Sequence, residues 1–349
     1  MSLYSRTYDV SFIERLPSDR SEYMRCEAFT VGRKIKFWRR WLYMALNNQL
    51  SYERKMIREI DRSLLWINLS APSVGDSIMD LSGRVLLSNK NIHLLTDKKN
   101  AALYKSDIVF SKVASSPSEL DDNYDLILID SYSHRCLSPK LARWKDVPFV
   151  GIYGYLNGFE VHRTLYSHYR IAELIGMDLN AVRPNVCISL DKSLSVPSPD
   201  MPYVTVSVGA EWEYRHYPHW LPIIEFLVKS VRVVLVGSSN GVLEASVLEG
   251  CVTVENLVGK LTLVETAQVI SKAKFHVCAD GGLWHVACGL NVPSVCMFAD
   301  CQLFLNGLRV LRNTQFQRCI PLYADRAVSE IHPDLVIQAI KNCKSSYDI

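Results

Sequence analysis

Short apolar runs recur along this chain with room for about one helix between neighbours, and that recurrence restricts the fold more than any other feature. A first set comprises Leu64–Leu69, Ile92–Leu95, Asp107–Phe110, Asp125–Ile129 and Pro148–Ile152. A second comprises Tyr203–Val208, Val231–Val236, Val252–Val254, Phe275–Cys278 and Ser294–Phe298. A strand wetted on one face alternates apolar and polar residues, whereas a strand covered by helices on both faces is apolar throughout. The runs therefore predict buried strands of parallel sheets. Between the sets, the polar stretch Leu190–Pro202 carries Pro197, Pro199 and Pro202, which no central strand accommodates. Two tandem α/β sheets joined by a linker follow. The expected division is a helical extension at 1–60, a first domain at 61–190, a linker at 191–202, a second domain at 203–330, and a C-terminal helix and tail at 331–349. Ligands of such sheets bind at the carboxyl ends of the strands, so a cleft between the domains is the expected site.

Composition removes several classes of function. A chain of 349 residues with 48% hydrophobic and 21% charged residues is globular and long enough for two domains. Its formal net charge of +3 is too small to argue for nucleic acid. The ten cysteines include no C-x-x-C, and Cys278, Cys288, Cys296 and Cys301 lie in or beside apolar runs. Reduced, buried thiols are expected rather than a metal or disulfide framework. With no short apolar leader and no stretch of about 18 apolar residues, the expected compartment is the cytoplasm. The segment 32–46 mixes basic and aromatic residues. On a helical wheel Ile35, Trp38, Trp41, Leu42, Ala45 and Leu46 share one face, and Arg33, Lys36, Arg39 and Arg40 another. Such a helix either lies on an anionic membrane surface or packs its tryptophan face on the protein's own core.

Four loops at strand ends carry candidate chemistry. The run Lys274–Cys278 leads into Asp280, Gly281 and Gly282, with His285 one turn into an apolar helix. Free N–H groups and the positive dipole end at a helix start attract phosphate. The glycine pair tolerates φ > 0 and permits close approach. A strand, an Asp-Gly turn and a helix also occur in any α/β protein. Upstream, Thr262 and Glu265 form a T-x-x-E capping box. After the first strand, Asp76 follows Gly75, either as a helix N-cap or as a general base for an acceptor hydroxyl. In the loop after Val208, Arg215 and His216 can neutralise a diphosphate, or that aromatic-rich loop simply packs on its neighbour. Glu244, after the Gly237–Gly241 loop, either accepts from ribose hydroxyls or faces solvent.

Together these positions resemble glycosyltransferase family 9, the ADP-heptose:lipopolysaccharide heptosyltransferases, over roughly residues 64 to 340. Asn256–Glu265 is similar to the family's N-L-x-G-x-x-[ST]-L-x-E segment, and Asp280–Ala287 to its D-[ST]-G-x-x-H-x-A nucleotide loop. Gly75-Asp76 resembles its G-D motif, whose Asp is the base. Arg215 stands where the family commonly carries a phosphate-binding Lys. Two departures bear on the donor: Gly281 replaces the family's Ser or Thr, and Phe298-Ala299-Asp300-Cys301 replaces Phe-Gly-Pro-Thr. The resemblance implies a GT-B fold, two Rossmann-like doubly wound domains facing across a cleft, with no resident cofactor. It implies inverting transfer of a sugar, a heptose by the family's pattern, from an ADP-sugar to a glycan or glycolipid such as lipopolysaccharide core. Asp76 is then the base, and Arg215, His216, Glu244, Asp280, Gly281, Gly282 and His285 hold the donor. With no Asp-x-Asp motif, metal independence is expected. The alternatives are a UDP- or GDP-sugar donor, a protein acceptor, or an inactive binding or scaffold subunit.

Overall fold

The computed structural model describes residues 31–71, 73–155, 163–191, 201–242, 245–246, 253–299 and 318–347, with Arg33 and Tyr347 described by their backbone alone. The chain divides into two compact units, Met1–Asn185 and Val186–Ile349. Of the expected linker 191–202, residues 192–200 lie outside the described residues.

Unit 1 contains α1 (Val31–Leu46), β1 (Ser63–Asn68), α2 (Val74–Asp80), β2 (Asn91–Thr96), α3 (Lys98–Tyr104), β3 (Phe110–Ala114), β4 (Leu126–Ile129), α4 (His134–Arg143), β5 (Phe149–Gly151) and α5 (Arg163–Leu174). Its sheet runs β3-β2-β1-β4-β5, and every pairing is parallel. Leu64, Leu65, Trp66 and Ile67 of β1 are fully buried, as a strand sandwiched between helices requires. β3 begins where the expected run Asp107–Phe110 ends, because Asp107 is committed elsewhere. Its carboxylate receives the buried Arg84 guanidinium through Nε at 2.9 Å and Nη2, and accepts from Val109 N at 3.0 Å. That Asx turn leaves Ile108 93% exposed.

The basic helix α1 packs on unit 1 through a face that shares Trp38 and Trp41 with the expected one but is otherwise rotated from it. Phe37 and Met44 enter the core, and Trp38, Trp41 and Tyr43 lie partly against it. Arg40, expected on the solvated basic face, is buried and donates to Tyr155 O at 2.6 Å. Ile35, Leu42 and Leu46, expected to share the tryptophan face, are exposed. A wheel drawn from hydrophobicity ranks the largest rings first, whereas the core here selects the stripe that fits beside Tyr155.

Unit 2 contains β6 (Tyr203–Ser207), α6 (Trp220–Leu227), β7 (Arg232–Val236), β8 (Val254–Asn256), α7 (Leu263–Ser271), β9 (His276–Ala279), α8 (Gly282–Gly289), β10 (Ser294–Ala299), β11 (Cys319–Ala324) and α9 (Pro333–Tyr347). The sheet order is β11-β10-β9-β6-β7-β8, all parallel. Numbered within the unit this is 6-5-4-1-2-3, the doubly wound order of dinucleotide-binding folds. The sequence reading passed over β11, an edge strand whose Pro321 breaks the apolar pattern and is tolerated only at an edge. Val204 and Val206 meet Ile223, Ile224 and Leu227 of α6 and Val336 and Ile340 of α9 in one core. A second cluster, Cys278, Trp284, Cys288, Cys296 and Phe298, underlies α8, and its cysteines are free thiols.

One buried histidine ties the end of unit 1 to its helices. His168 of α5 is 0% exposed; its Nδ1 donates to Thr164 O at 3.0 Å and its Nε2 accepts from Asn185 N at 3.5 Å. Both nitrogens are thus used by the neutral ring, and burial lowers its pKa to about 4. The unfolded chain takes up the proton near pH ~6.5, whereas the folded chain refuses it until near pH 4. The His168 contribution to stability is therefore full above pH ~6.5 and falls as pH drops towards 4, by at most about 3 kcal/mol. A His168→Gln variant should show a flatter dependence of Tm on pH over that window than the parent protein.

Candidate active site

In a doubly wound sheet the loops diverge where the strand order reverses, and a crevice opens at the carboxyl ends of the two strands flanking that point. In unit 2 those strands are β6 and β9. They are joined side by side through Thr205 and His276, whose Oγ1 and Nδ1 lie 2.9 Å apart. Beyond β9, Gly281 is the N-cap of α8 and supplies no side-chain cap. Beyond β6, a short 3-10 turn at Glu213–Arg215 presents Arg215. Its Nη2 lies 3.2 Å from Asp280 Oδ2, and Nη1 donates to Asp280 O at 3.5 Å. Asp280 is 4% exposed, so its carboxylate fixes the guanidinium at the switch point beside an uncapped helix start. Donors preorganised in that way cost little reorganisation when an anion arrives.

The other expected donor residues are placed as follows. His216 follows the turn, half-buried, with its N–H donating to Glu213 O at 2.9 Å. His285 lies one turn into α8, 7% exposed, with its ring centroid 4.7 Å from that of Trp284. Glu244 lies outside the described residues. The structure thus brings together Arg215, Asp280, Gly281 and Gly282. The glycine pair does not use a left-handed backbone: Gly281 has φ −175°, and the glycines at positive φ among the described residues are Gly176, Gly237 and Gly259. The sequence reading missed a close approach of two loops, in which a Cβ on Gly209 would fall 2.6 Å from Asn240 Oδ1 and 2.8 Å from Gly241 Cα.

Because a Cβ at Gly281 would meet nothing nearer than Ala279 O at 3.9 Å, this glycine is not sterically required. A Gly281→Ser variant should fold normally and gain about 0.5 kcal/mol from a capping hydroxyl and a less flexible unfolded chain. The urea midpoint is the measurement, and a loss of stability would contradict the open space seen at this position.

In unit 1 the order reverses between β1 and β4. Asp76 is not a turn residue there: Gly75 and Asp76 lie inside α2, and Ser73 is the N-cap. Ser73 Oγ accepts from Asp76 N at 3.2 Å and donates to Asp76 Oδ2 at 2.7 Å. The other oxygen, Oδ1, faces Arg163 Nε at 3.1 Å, and the Asp76 side chain is 22% exposed. Arg163 is itself held by both oxygens of Asp80, through Nη1 at 2.8 and 2.7 Å, and Tyr153 OH also donates to Asp80. Burial raises the Asp80 pKa, opposed by the charge of Arg163. At the end of β4, Asp130 accepts from Trp66 Nε1 at 3.0 Å and Asn68 Nδ2 at 2.7 Å. Burial, reinforced by Asp80, pushes its carboxyl well above the usual range. Asp130 directly follows the fourth apolar run, Asp125–Ile129, and that position was its only signal in the sequence. Arg163 had none, being 83 residues from Asp80.

Among the described residues, no group of three or more His, Cys, Asp or Glu side chains is arranged to hold a metal ion. No helix among them is long and apolar enough to cross a membrane.

The fold has solved counterparts. A glycosyl transferase family 9 protein from Veillonella parvula superposes with a TM-score of 0.63 at 14% identity, over 83% of this chain and 99% of that one. The Escherichia coli ADP-heptose lps heptosyltransferase II gives 0.62 at 16% identity, over 82% and 100%. E. coli heptosyltransferase WaaC with ADP gives 0.63 at 17% identity, over 81% and 98%. The fold is GT-B. By sequence, residues 160–304 match Glycosyltransferase family 9 (heptosyltransferase), and no curated protein matches. The family match is narrower than the resemblance of residues 64 to 340. Arg215, Glu244 and Asp280–His285 fall inside it, and Asp76 falls outside it.

Proposed function

We propose that this protein is an inverting glycosyltransferase that moves a sugar, a heptose by the family's pattern, from an ADP-sugar to a hydroxyl of a glycan or glycolipid such as lipopolysaccharide core. The observation that carries this reading is the Arg215–Asp280 pair beside the uncapped start of α8, on the switch point of a nucleotide-type sheet. In the proposed step Asp76 takes the proton of the acceptor hydroxyl. The freed oxygen attacks the anomeric carbon from the face opposite the diphosphate, the bond from that carbon to the phosphate oxygen breaks, and the nucleoside diphosphate leaves with the electron pair. Arg215, His285 and the first N–H groups of α8 stabilise the departing charge. These groups fill the place a divalent cation takes in other transferases, so turnover should survive EDTA. The glycolipid acceptor sets the reaction at the cytoplasmic face of a membrane.

Differential thermal stabilisation by ADP, UDP and GDP tests the donor site, because a ligand of the native state raises Tm by mass action. ADP should give the largest shift. A larger shift with UDP or GDP would reassign the donor. No shift with any of the three would overturn the transferase reading in favour of a scaffold.

A further inference from the structure

α1 is apolar on two opposite sides, and its core-facing side, through Phe37 and Met44, accounts for only one of them. Val31 (72% exposed), Ile35 (64%), Leu42 (51%) and Leu46 (75%) point to solvent. At about 100° per residue these four fall within roughly 60° of arc, on the side of the helix away from Phe37 and Met44. An exposed Leu or Ile alone needs no explanation, but an aligned stripe on one helix marks an interaction surface. The helix sequence VGRKIKFWRRWLYMAL holds five Lys and Arg residues and no acidic residue. Exposed Lys34 and Arg39 flank the stripe on either side, and half-buried Trp38 borders it.

We infer that this outward face of α1 docks on an anionic phospholipid bilayer, with Val31, Ile35, Leu42 and Leu46 entering the headgroup boundary and Lys34 and Arg39 meeting lipid phosphates. An apolar stripe bordered by cations and an indole is the pattern of a helix lying in the membrane interface. A second copy of the chain fits less well. A twofold contact through this stripe would set the same cations against one another with no helix carboxylate to meet them. The inference draws nothing from the transfer chemistry, so either can fail alone.

The test is co-sedimentation of the full chain with phosphatidylglycerol/phosphatidylcholine vesicles and with pure phosphatidylcholine vesicles. The protein should bind the anionic vesicles, release at about 0.5 M NaCl as screening shortens to a few ångströms, and bind phosphatidylcholine weakly. The triple variant Ile35→Ser/Leu42→Ser/Leu46→Ser should lose about tenfold or more of that binding, with its Tm and its nucleotide-induced shift unchanged. Lys34→Gln/Arg39→Gln should weaken binding to the anionic vesicles only. Absence of wild-type binding, or undiminished binding by the triple variant, would overturn the inference. A concentration-dependent dimer that the triple variant abolishes, without vesicle binding, would overturn it in favour of a second copy.

Discussion

Asp76→Asn should reduce turnover by a factor on the order of 10²–10⁴ while leaving the nucleotide-induced Tm shift unchanged. Asparagine keeps the size of the side chain and still accepts from Ser73 Oγ, so the first turn of α2 survives. It removes the basic oxygen now facing Arg163 at 3.1 Å. The structural cost is small because the ion pair is partly exposed and worth less than about 1 kcal/mol. Arg163 also keeps its two-oxygen hold on Asp80. Turnover near the parent value in Asp76→Asn, with donor binding intact, would remove Asp76 from the role of base. Arg163→Lys provides the companion measurement. A lysine keeps the charge but cannot reach Asp76 and Asp80 through a planar fork, so kcat should fall without a matching change in donor affinity.

Arg215→Met should lower turnover by about 10²–10³-fold, the usual effect of removing one preorganised donor to a developing anion. It should also destabilise unit 2 by about 1–3 kcal/mol, because the nearly buried Asp280 carboxylate loses its charged partner. The two effects separate in a double variant. Arg215→Met/Asp280→Asn removes the carboxylate that had been stranded and should recover most of the stability without recovering turnover. If activity returns together with stability, Arg215 is a structural residue only. Urea unfolding and single-turnover kinetics on the same preparations provide both readouts.

Most of the fold was legible because strands buried on both faces must be apolar throughout; of the ten runs, Val252–Val254 meets the half-buried edge strand β8 only at Val254. The exceptions have local causes. Asp107 spends its carboxylate on Arg84 and moves β3 along the chain, and Pro321 hides β11. On α1 the periodicity gave a helix but not its orientation, since a helix with two apolar stripes has two solutions and only tertiary packing chooses. In the candidate site, residues flanking glycines at strand ends could be found by position. The Asp76–Arg163–Asp80 array could not, because its arginine comes from a distant helix start with no motif around it. Sequence spacing also supplied the T-x-x-E box, which forms in full as Thr262 and Glu265 exchange both hydrogen bonds.

The seam between β6 and β9 also bears on how the molecule assembles. Thr205 and His276, which join it, are 71 residues apart, whereas β6 meets β7 after a single helix. Closing the longer loop costs more chain entropy, and that cost is recovered only when α6, β7, β8 and α7 are already in place. The seam in unit 1 has the same character, with Trp66 and Asp130 separated by 64 residues. Each candidate site is therefore built on the most non-local pairing of its sheet, so that a nascent or partly folded chain has neither candidate site assembled. Acquisition of nucleotide binding during refolding should accordingly coincide with the final cooperative phase of unit 2.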